Sequence, residues 1–421
     1  MSTKVQNQNH ITATLACLLI IFGMYLPGLL VAQSLTVSGK VTDAKTGEPL
    51  PYATVALKNE PFGTITNLAG DFDFHIGQEY RQSLIVISTL GYVNFNISVN
   101  DALNQEILSV QLEPGQIVLD EVLVTENLTA GDLLRIAINN IEKNYPMTPV
   151  DMDGFYRDTK KVDGEYVALL EAAVKIYDKD YSAPRDYTKL RERVSLVEVR
   201  RTHDYDYSLK KYFSQYNVME DLLLENIVKY RTFNNEEAFF ENLERKKVVG
   251  YDNLPIDLVY IELPEYSLKI YIDANYGIRK INFAWGDGNN PLYSYRKSRK
   301  LEYQVIRINK QIEFQEYNGK LYLKYIAAHY QNKWVDLKRD ELILITERDQ
   351  ALLINKLNYY QPEWIKSSEK MKRYGLQFQN AAYNKEFWAN YNTIKDMPLS
   401  DEAQSDLEKL FTLEEQFESF N

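Results

Sequence analysis

The side chains able to do covalent or metal chemistry are few in this sequence. It holds four histidines (His10, His75, His203, His329) and one cysteine, Cys17. A nucleophilic centre needs a Ser or Cys beside a base, and hydrolases often present that serine in a Gly-x-Ser-x-Gly turn. No such turn occurs, nor does His-Glu-x-x-His or a phosphate-binding Walker loop. The run most like a metal site is His203-Asp204-Tyr205-Asp206. In an extended segment His203 faces away from both aspartates, so the run reads as a polar strand end. Asp71 and Asp73 alternate with Phe72 and Phe74. Two carboxylates supply too few oxygens for a hard cation, so they read as solvent-facing strand residues, with His75 a solvated neighbour on the same face. Paired carboxylates for glycoside cleavage can come from residues far apart in sequence, which keeps a hydrolase with dispersed carboxylates as one alternative. No residue is assigned a catalytic, cofactor-binding or metal-binding role. The expectation is a non-enzyme without a cofactor.

Composition narrows the class. Among 421 residues, 48 Lys and Arg face 59 Asp and Glu, for a net charge of −11. The chain lacks the basic footprint of a nucleic-acid binder. Two basic runs are local, Arg296-Lys297-Ser298-Arg299-Lys300 and Lys370-Met371-Lys372-Arg373, and either could meet anionic lipid headgroups. There are 32 tyrosines against 18 glycines. Tyrosine favours strands, and here it is sparse in the first hundred residues and dense afterwards. A ligand surface, if one exists, is therefore expected in the later part of the chain.

Residues 1–33 have the layout of a secretory signal peptide. A polar start with one lysine precedes the uncharged stretch Ile11–Ala32, and Val31-Ala32-Gln33 offers a cleavage point. The alternative is an uncleaved N-terminal anchor helix, since 22 residues can span a bilayer. Cleavage would remove Cys17, leaving no thiol, disulfide or cysteine metal site, and would bring the net charge to −12. The expected location is the periplasm or the periplasmic face of the outer membrane.

Residues 34–115 read as short strands separated by turn residues. Asp71–Ile76 alternates strictly, and Leu84–Ser88 is apolar on both faces. The segments Ser38-Gly39-Lys40-Val41-Thr42-Asp43, Gly47-Glu48-Pro49-Leu50-Pro51-Tyr52-Ala53-Thr54-Val55, Gly63–Phe72 and Ser88-Thr89-Leu90-Gly91-Tyr92 resemble the carboxypeptidase-regulatory-like domain. That resemblance implies a non-catalytic, transthyretin-like β-sandwich of the kind found in Bacteroidota-type envelope proteins. Residues 116–128 read as a linker. Within it, Leu119-Asp120-Glu121-Val122 resembles the segment that follows this module in outer-membrane receptors, where it can dock an energy-coupling protein. The plain alternative is an extended linker.

Residues 129–355 read as an α+β domain with an antiparallel meander, and residues 356–421 as a helical acidic tail. Thr129-x-x-Asp132 opens a helix whose stripe is Leu134, Ala137, Ile138 and Ile141, with Pro146 and Pro149 ending it. Asp163-Gly164 and Asn318-Gly319 mark tight hairpins. Helices are expected at Met219–Lys229 and Glu236–Arg245, strands from residue 247 on, and a last strand at Leu342–Ile345. The tail from residue 396 holds eight acids and one base. The hairpin Tyr266–Asp273 with Tyr276–Ile281 resembles one in the periplasmic lipoprotein-carrier superfamily, which implies a curved half-barrel sheltering acyl chains. The helix Leu133–Tyr145, Phe155-Tyr156-Arg157 and the ending Tyr383–Asn392 resemble short, barrel-less members of a Bacteroidota envelope family without an assigned activity. The whole is expected to be α+β but mostly β. Function is expected to be that of a non-enzymatic envelope binding or scaffold protein; the other alternative is a carrier or sensor of lipid or another apolar ligand. Partners are an envelope protein or an apolar ligand, with peripheral association at the outer membrane and the oligomeric state left open.

Overall fold

The computed structural model describes residues 34–115, 128–203, 211–213, 218–251, 254–371, 376, 379, 382–395 and 401–419. The signal-peptide stretch, Leu119–Val122, Asp204–Asp206 and Lys372-Arg373 lie outside the described residues. Seven strands come first: β1 (Leu35–Asp43), β2 (Thr54–Leu57), β3 (Gly63–Ile65), β4 (Asp71–Ile76), β5 (Leu84–Ser88), β6 (Phe95–Ser98) and β7 (Leu108–Leu112). They form two sheets, ordered β4-β1-β7 and β3-β2-β5-β6, with β1 and β7 parallel. Alternation puts Phe72, Phe74 and Ile76 of one sheet and Val55, Leu57, Ile85 and Ile87 of the other into one shared apolar core.

Eleven strands follow: β8 (Val150–Val162), β9 (Glu165–Asp178), β10 (Arg193–Arg201), β11 (Glu244–Val249), β12 (Pro255–Leu263), β13 (Tyr266–Ile272), β14 (Ile278–Trp285), β15 (Tyr293–Arg296), β16 (Leu301–Tyr317), β17 (Lys320–Asp336) and β18 (Glu341–Asn358). They make one sheet in the order β10-β9-β8-β18-β17-β16-β14-β13-β12-β11, with β15 also paired to β16. Every pairing is antiparallel. The meander is sequential from β11 to β18, and β8 then joins the edge of β18. The expected hairpin turns occur, with left-handed Asp163 and Asn318 each followed by a left-handed glycine.

The two faces of this sheet are covered differently. On one face lie the helix Ala130–Asn139, the short helices that follow it and the Val218–Glu241 helices. Leu134, Ile141, Tyr145, Leu222 and Phe240 from these helices meet Tyr156, Val174, Ile270 and Ile326 from the strands in one core. The first helix begins with the expected reciprocal cap between Thr129 and Asp132. Gly131 touches the backbone of Phe240, where a Cβ would sit 2.7 Å from the carbonyl oxygen, so glycine lets the two helices meet. On the opposite face Phe155, Tyr325 and Leu353 pack against Tyr52 and Ile65 of the N-terminal unit and Trp388 and Ile394 of the C-terminal segment.

Several elements differ from the sequence-based expectation. Strand β10 was not anticipated. The second helical stretch is broken into Val218–Leu224 and Ile227–Tyr230, and the third stops at Glu241 because β11 starts at Glu244. The last strand runs to Asn358, well past Ile345. The tail carries the expected helices, at Lys385–Asn390, Asp401–Leu407 and Leu413–Glu418 among the described residues. Among the described residues no helix is long and apolar enough to cross a membrane.

Candidate functional site

A cleft of about 740 Å3 lies between the N-terminal unit and the large sheet. One wall is the polar face of the β2-β5-β6 sheet: Thr54, Lys58, Ser88, Asn94 and Asn96. These alternate with Val55, Leu57, Ile85 and Ile87, which point into the core, so burying one set turns the other outward. The facing wall comes from the β11–β12 connection, the β13–β14 turn and the end of the β16–β17 hairpin. It contributes Tyr251, Arg279, Glu313, Gln315, Tyr317 and Lys324.

At the floor, Glu313 is 3% exposed and gathers four donors, Gln311 Nε2 reaching Oε2 at 3.5 Å. Tyr251 Oη and Lys324 Nζ each reach its Oε1 at 2.8 Å, and Lys280 Nζ lies 3.2 Å from Oε2. Burial alone would raise the carboxyl pKa. The two ammonium groups and the hydrogen bonds from Lys324 and Tyr251 reverse that and hold it well below the usual range. Lys324 is itself buried and its pKa is lowered, chiefly by burial and against the pull of Glu313. Its Nζ also donates to Thr54 Oγ1, so the node ties the N-terminal unit to the sheet. Nearby, Arg279 Nη1 lies 2.8 Å from Glu316 and 3.5 Å from Asp273. Each carboxylate lining the cleft thus has a cationic partner.

The C-terminal segment closes the junction from the side. Asn392 is 5% exposed. Its side-chain amide accepts from the His75 N–H at 2.8 Å and donates to the His75 carbonyl at 2.9 Å. It thereby satisfies the free edge of β4 as a neighbouring strand would. The Asn392 carbonyl accepts from Asn355 of β18 at 2.7 Å, and Lys395 pairs with Asp73 at 2.9 Å.

The histidines and acids singled out in the sequence are dispersed. His75 is not a solvated residue: it lies half-buried under the C-terminal segment, bonded through Nδ1 to Thr36, and burial lowers its pKa. Asp71 pairs with Lys40 across the strands. His203 meets Gln416 and Ser419 of the last helix. His329 pairs with Asp349 at 2.7 Å in a second, shallower cavity of about 470 Å3 on the same sheet face as the N-terminal unit. Of the run at residues 370–373, Met371 is a core residue whose N–H bonds to Val194. Among the described residues no three His, Cys, Asp or Glu side chains gather as metal ligands would.

Two other buried charge clusters act as fasteners. Lys229, fully buried, pairs with Asp178 and lies 3.5 Å from Glu192, which also accepts from Tyr230. Burial outweighs the pull of Lys229 and pushes Asp178 up to about 6. This cluster pins the helix Ile227–Tyr230 to β9 and the start of β10. Glu171 is clasped by Arg157 and Arg200, and Arg200 stacks over Trp388 at 4.5 Å. None of these clustered residues lines the cleft.

Glu313 and Lys324 were open to detection from sequence. The Asn318-Gly319 turn brings them nearly opposite each other across a hairpin, and opposite charges facing each other on adjacent strands are a pairing signal. The contribution of Thr54, some 270 positions away, left no local trace.

A family model described as a CarboxypepD_reg-like domain matches residues 37–124, and the chain carries that domain. The TonB-dependent receptor SusC of Bacteroides thetaiotaomicron is 32% identical over 141 residues, which is 32% of this chain and 13% of the receptor. The chain thus spans about an eighth of that relative's length. Among solved structures, a LolA superfamily protein from Nitrosomonas europaea aligns with 58% of this chain and 98% of its own, at 11% identity and a TM-score of 0.19. A DUF1329 family protein from Desulfovibrio piger aligns with 57% of this chain and 98% of its own, at 11% identity and a TM-score of 0.23. A lipovitellin structure aligns with 55% of this chain and 27% of its own, at 11% identity and a TM-score of 0.25.

Proposed function

We propose that this chain is a non-enzymatic cell-envelope protein that binds or scaffolds a hydrophilic partner at the junction between its CarboxypepD_reg-like domain and its large sheet. The carrying observation is the cleft itself. Charged and amide side chains (Lys58, Asn94, Asn96, Arg279, Glu313, Gln315) stand on its walls among apolar ones such as Val86, Leu254 and Phe314, and the buried Thr54–Lys324–Glu313 node fixes one wall against the other. A pocket preformed from two domains is a usual place for a ligand. An envelope setting is supported by the N-terminal stretch, by the CarboxypepD_reg-like domain and by the partial likeness to a TonB-dependent receptor.

The chemistry of the floor favours binding over catalysis. A general acid needs a carboxyl pKa raised toward neutrality, whereas Glu313 is held firmly ionised by its cations. Asp178, whose pKa is raised, is sealed in the core on Lys229. A lipid carrier would need an apolar cavity against the sheet. The helix-covered face is instead occupied by the protein's own Leu134, Tyr145, Leu222 and Phe240.

Native mass spectrometry of the full chain, expressed in a Bacteroidota host and extracted without detergent, tests this reading. The expected spectrum shows the protein free of lipid, alone or with a hydrophilic adduct. A stoichiometric phospholipid or acyl-chain adduct would overturn it in favour of a carrier.

A further inference from the structure

At one end of the large sheet two turns lie side by side. Residues 297–300 join β15 to β16 and residues 337–340 join β17 to β18, with the Leu337 N–H donating to the Lys300 carbonyl at 2.9 Å. Around the first turn stand Arg296, Lys297, Arg299 and Lys300, and on the second Lys338 and Arg339. All six are exposed, in a chain of net charge −11. Lys297 Nζ donates to the Lys211 carbonyl and lies 5.2 Å from the Trp334 ring centre, and Arg339 and Lys300 lie within electrostatic reach of Asp336. Four acids share the region, Glu302, Asp336, Asp340 and Glu341, and the first two are already engaged. Asp336 accepts the backbone N–H groups of Lys338 and Arg339 at 2.8 and 3.3 Å, and Glu302 accepts from Gln304 at 3.1 Å.

Beside these cations project Tyr295, Leu342 and Ile343, which are 54%, 57% and 40% exposed. Tyr295 pairs with Tyr303 and Leu342 with Val335, so both lie within a few residues of the turns, roughly 10 Å at most along the strands. They spread over four adjacent strands, about 14 Å across. The base beneath them is rigid, because buried Trp334 packs on Tyr212 and Tyr303 with ring centres 5.1 and 5.2 Å apart.

We infer that this end of the sheet is a docking surface for an anionic phospholipid bilayer. Exposed cations attract an anionic headgroup layer, and an aromatic with two aliphatic side chains beside them suits the headgroup–acyl boundary. A protein partner fits less well, since three of the six cations are lysines, which are depleted from protein interfaces, and neither cavity described above is lined by these residues. The surface lies apart from the cleft, so the two readings can fail separately.

Hydrogen exchange read by mass spectrometry on the full chain tests the inference, with phosphatidylcholine vesicles containing about 30% phosphatidylglycerol compared against pure phosphatidylcholine. The apolar stretch at residues 11–32 would bind both vesicles, so the signal is the difference between them. Amides of residues 293–301 and 336–343 should slow with the anionic vesicles, less so as salt rises from roughly 0.05 to 0.5 M. The quadruple change Arg299→Glu, Lys300→Glu, Lys338→Glu, Arg339→Glu should cut the phosphatidylglycerol-dependent binding at least about tenfold with an unchanged melting temperature. Leu342→Ser with Ile343→Ser should weaken binding while leaving its salt dependence intact. Anionic-vesicle binding that leaves both segments unprotected, equal binding by the charge-reversed chain, or protection by soluble dextran sulfate but not by vesicles would each overturn the inference.

Discussion

Glu313 and Lys324 show how one ion pair can hold two domains and shape a site. Both are almost fully buried, and Lys324 reaches Thr54 of the CarboxypepD_reg-like domain at the same time. Removing one member of such a pair strands the other charge, which typically costs about 3–5 kcal/mol. Glu313→Gln should therefore lower the denaturant midpoint markedly. The pH dependence has a definite sign. The folded pKa of Glu313 lies below its ordinary 4.5, so on acidification the unfolded chain takes up this proton first. The stabilisation is fully present above the ordinary value and declines as pH falls toward the folded one. The stability gap between the native chain and Glu313→Gln should accordingly narrow from pH 5 toward about pH 3. A gap that stays constant over that range would contradict the assigned role.

At the scale of elements, the C-terminal segment behaves as a clip. Asn392 hydrogen-bonds both backbone groups of His75 at the edge of β4 and hands its own carbonyl to Asn355 on β18. Asn392→Ala should cost about 1–3 kcal/mol and speed amide exchange at His75, while leaving the core of the large sheet protected. Unchanged exchange at His75 would show that the edge is covered by other means. The same segment shows where sequence reading reached and where it stopped. Turns written in local chemistry, Asp163-Gly164 and Asn318-Gly319, and the capped helix at Thr129 were legible because a few neighbouring residues decide them. Strand β10, Arg193-Val194-Ser195-Leu196-Val197-Glu198-Val199-Arg200-Arg201, was missed because a bulge between Leu196 and Glu198 shifts its alternation midway, so that Val194 and Leu196 share a face with Val199, while Arg193 and Arg200 share the other. The length of the 17-residue β16 has no local signal, because its middle, Asn309-Lys310-Gln311, reads as polar. Residues 244 and 245 read as a helix end because Glu-Arg suits one, yet Arg245 and Lys247 pair with Asp257 on the next strand. The cleft was not legible as a unit, because its walls are set by tertiary docking.

Across the whole molecule, the large sheet is covered by helices on one face and by the CarboxypepD_reg-like domain and the C-terminal segment on the other. The tyrosine excess serves this arrangement. Tyr145 stacks on Tyr181 within the helix-side core, Tyr52 meets Tyr325 at the domain junction, and Tyr322 stacks on Tyr359 near the rim of the cleft. The Thr54–Lys324–Glu313 node and the Asn392 clip join the two domains into one unit, so that the cleft between them is a preformed surface. Scanning calorimetry of the full chain tests it most directly. The account predicts one cooperative transition with calorimetric and van't Hoff enthalpies equal, splitting into two when Glu313→Gln and Asn392→Ala are combined. Two independent transitions in the native chain, each unmoved by those substitutions, would contradict it.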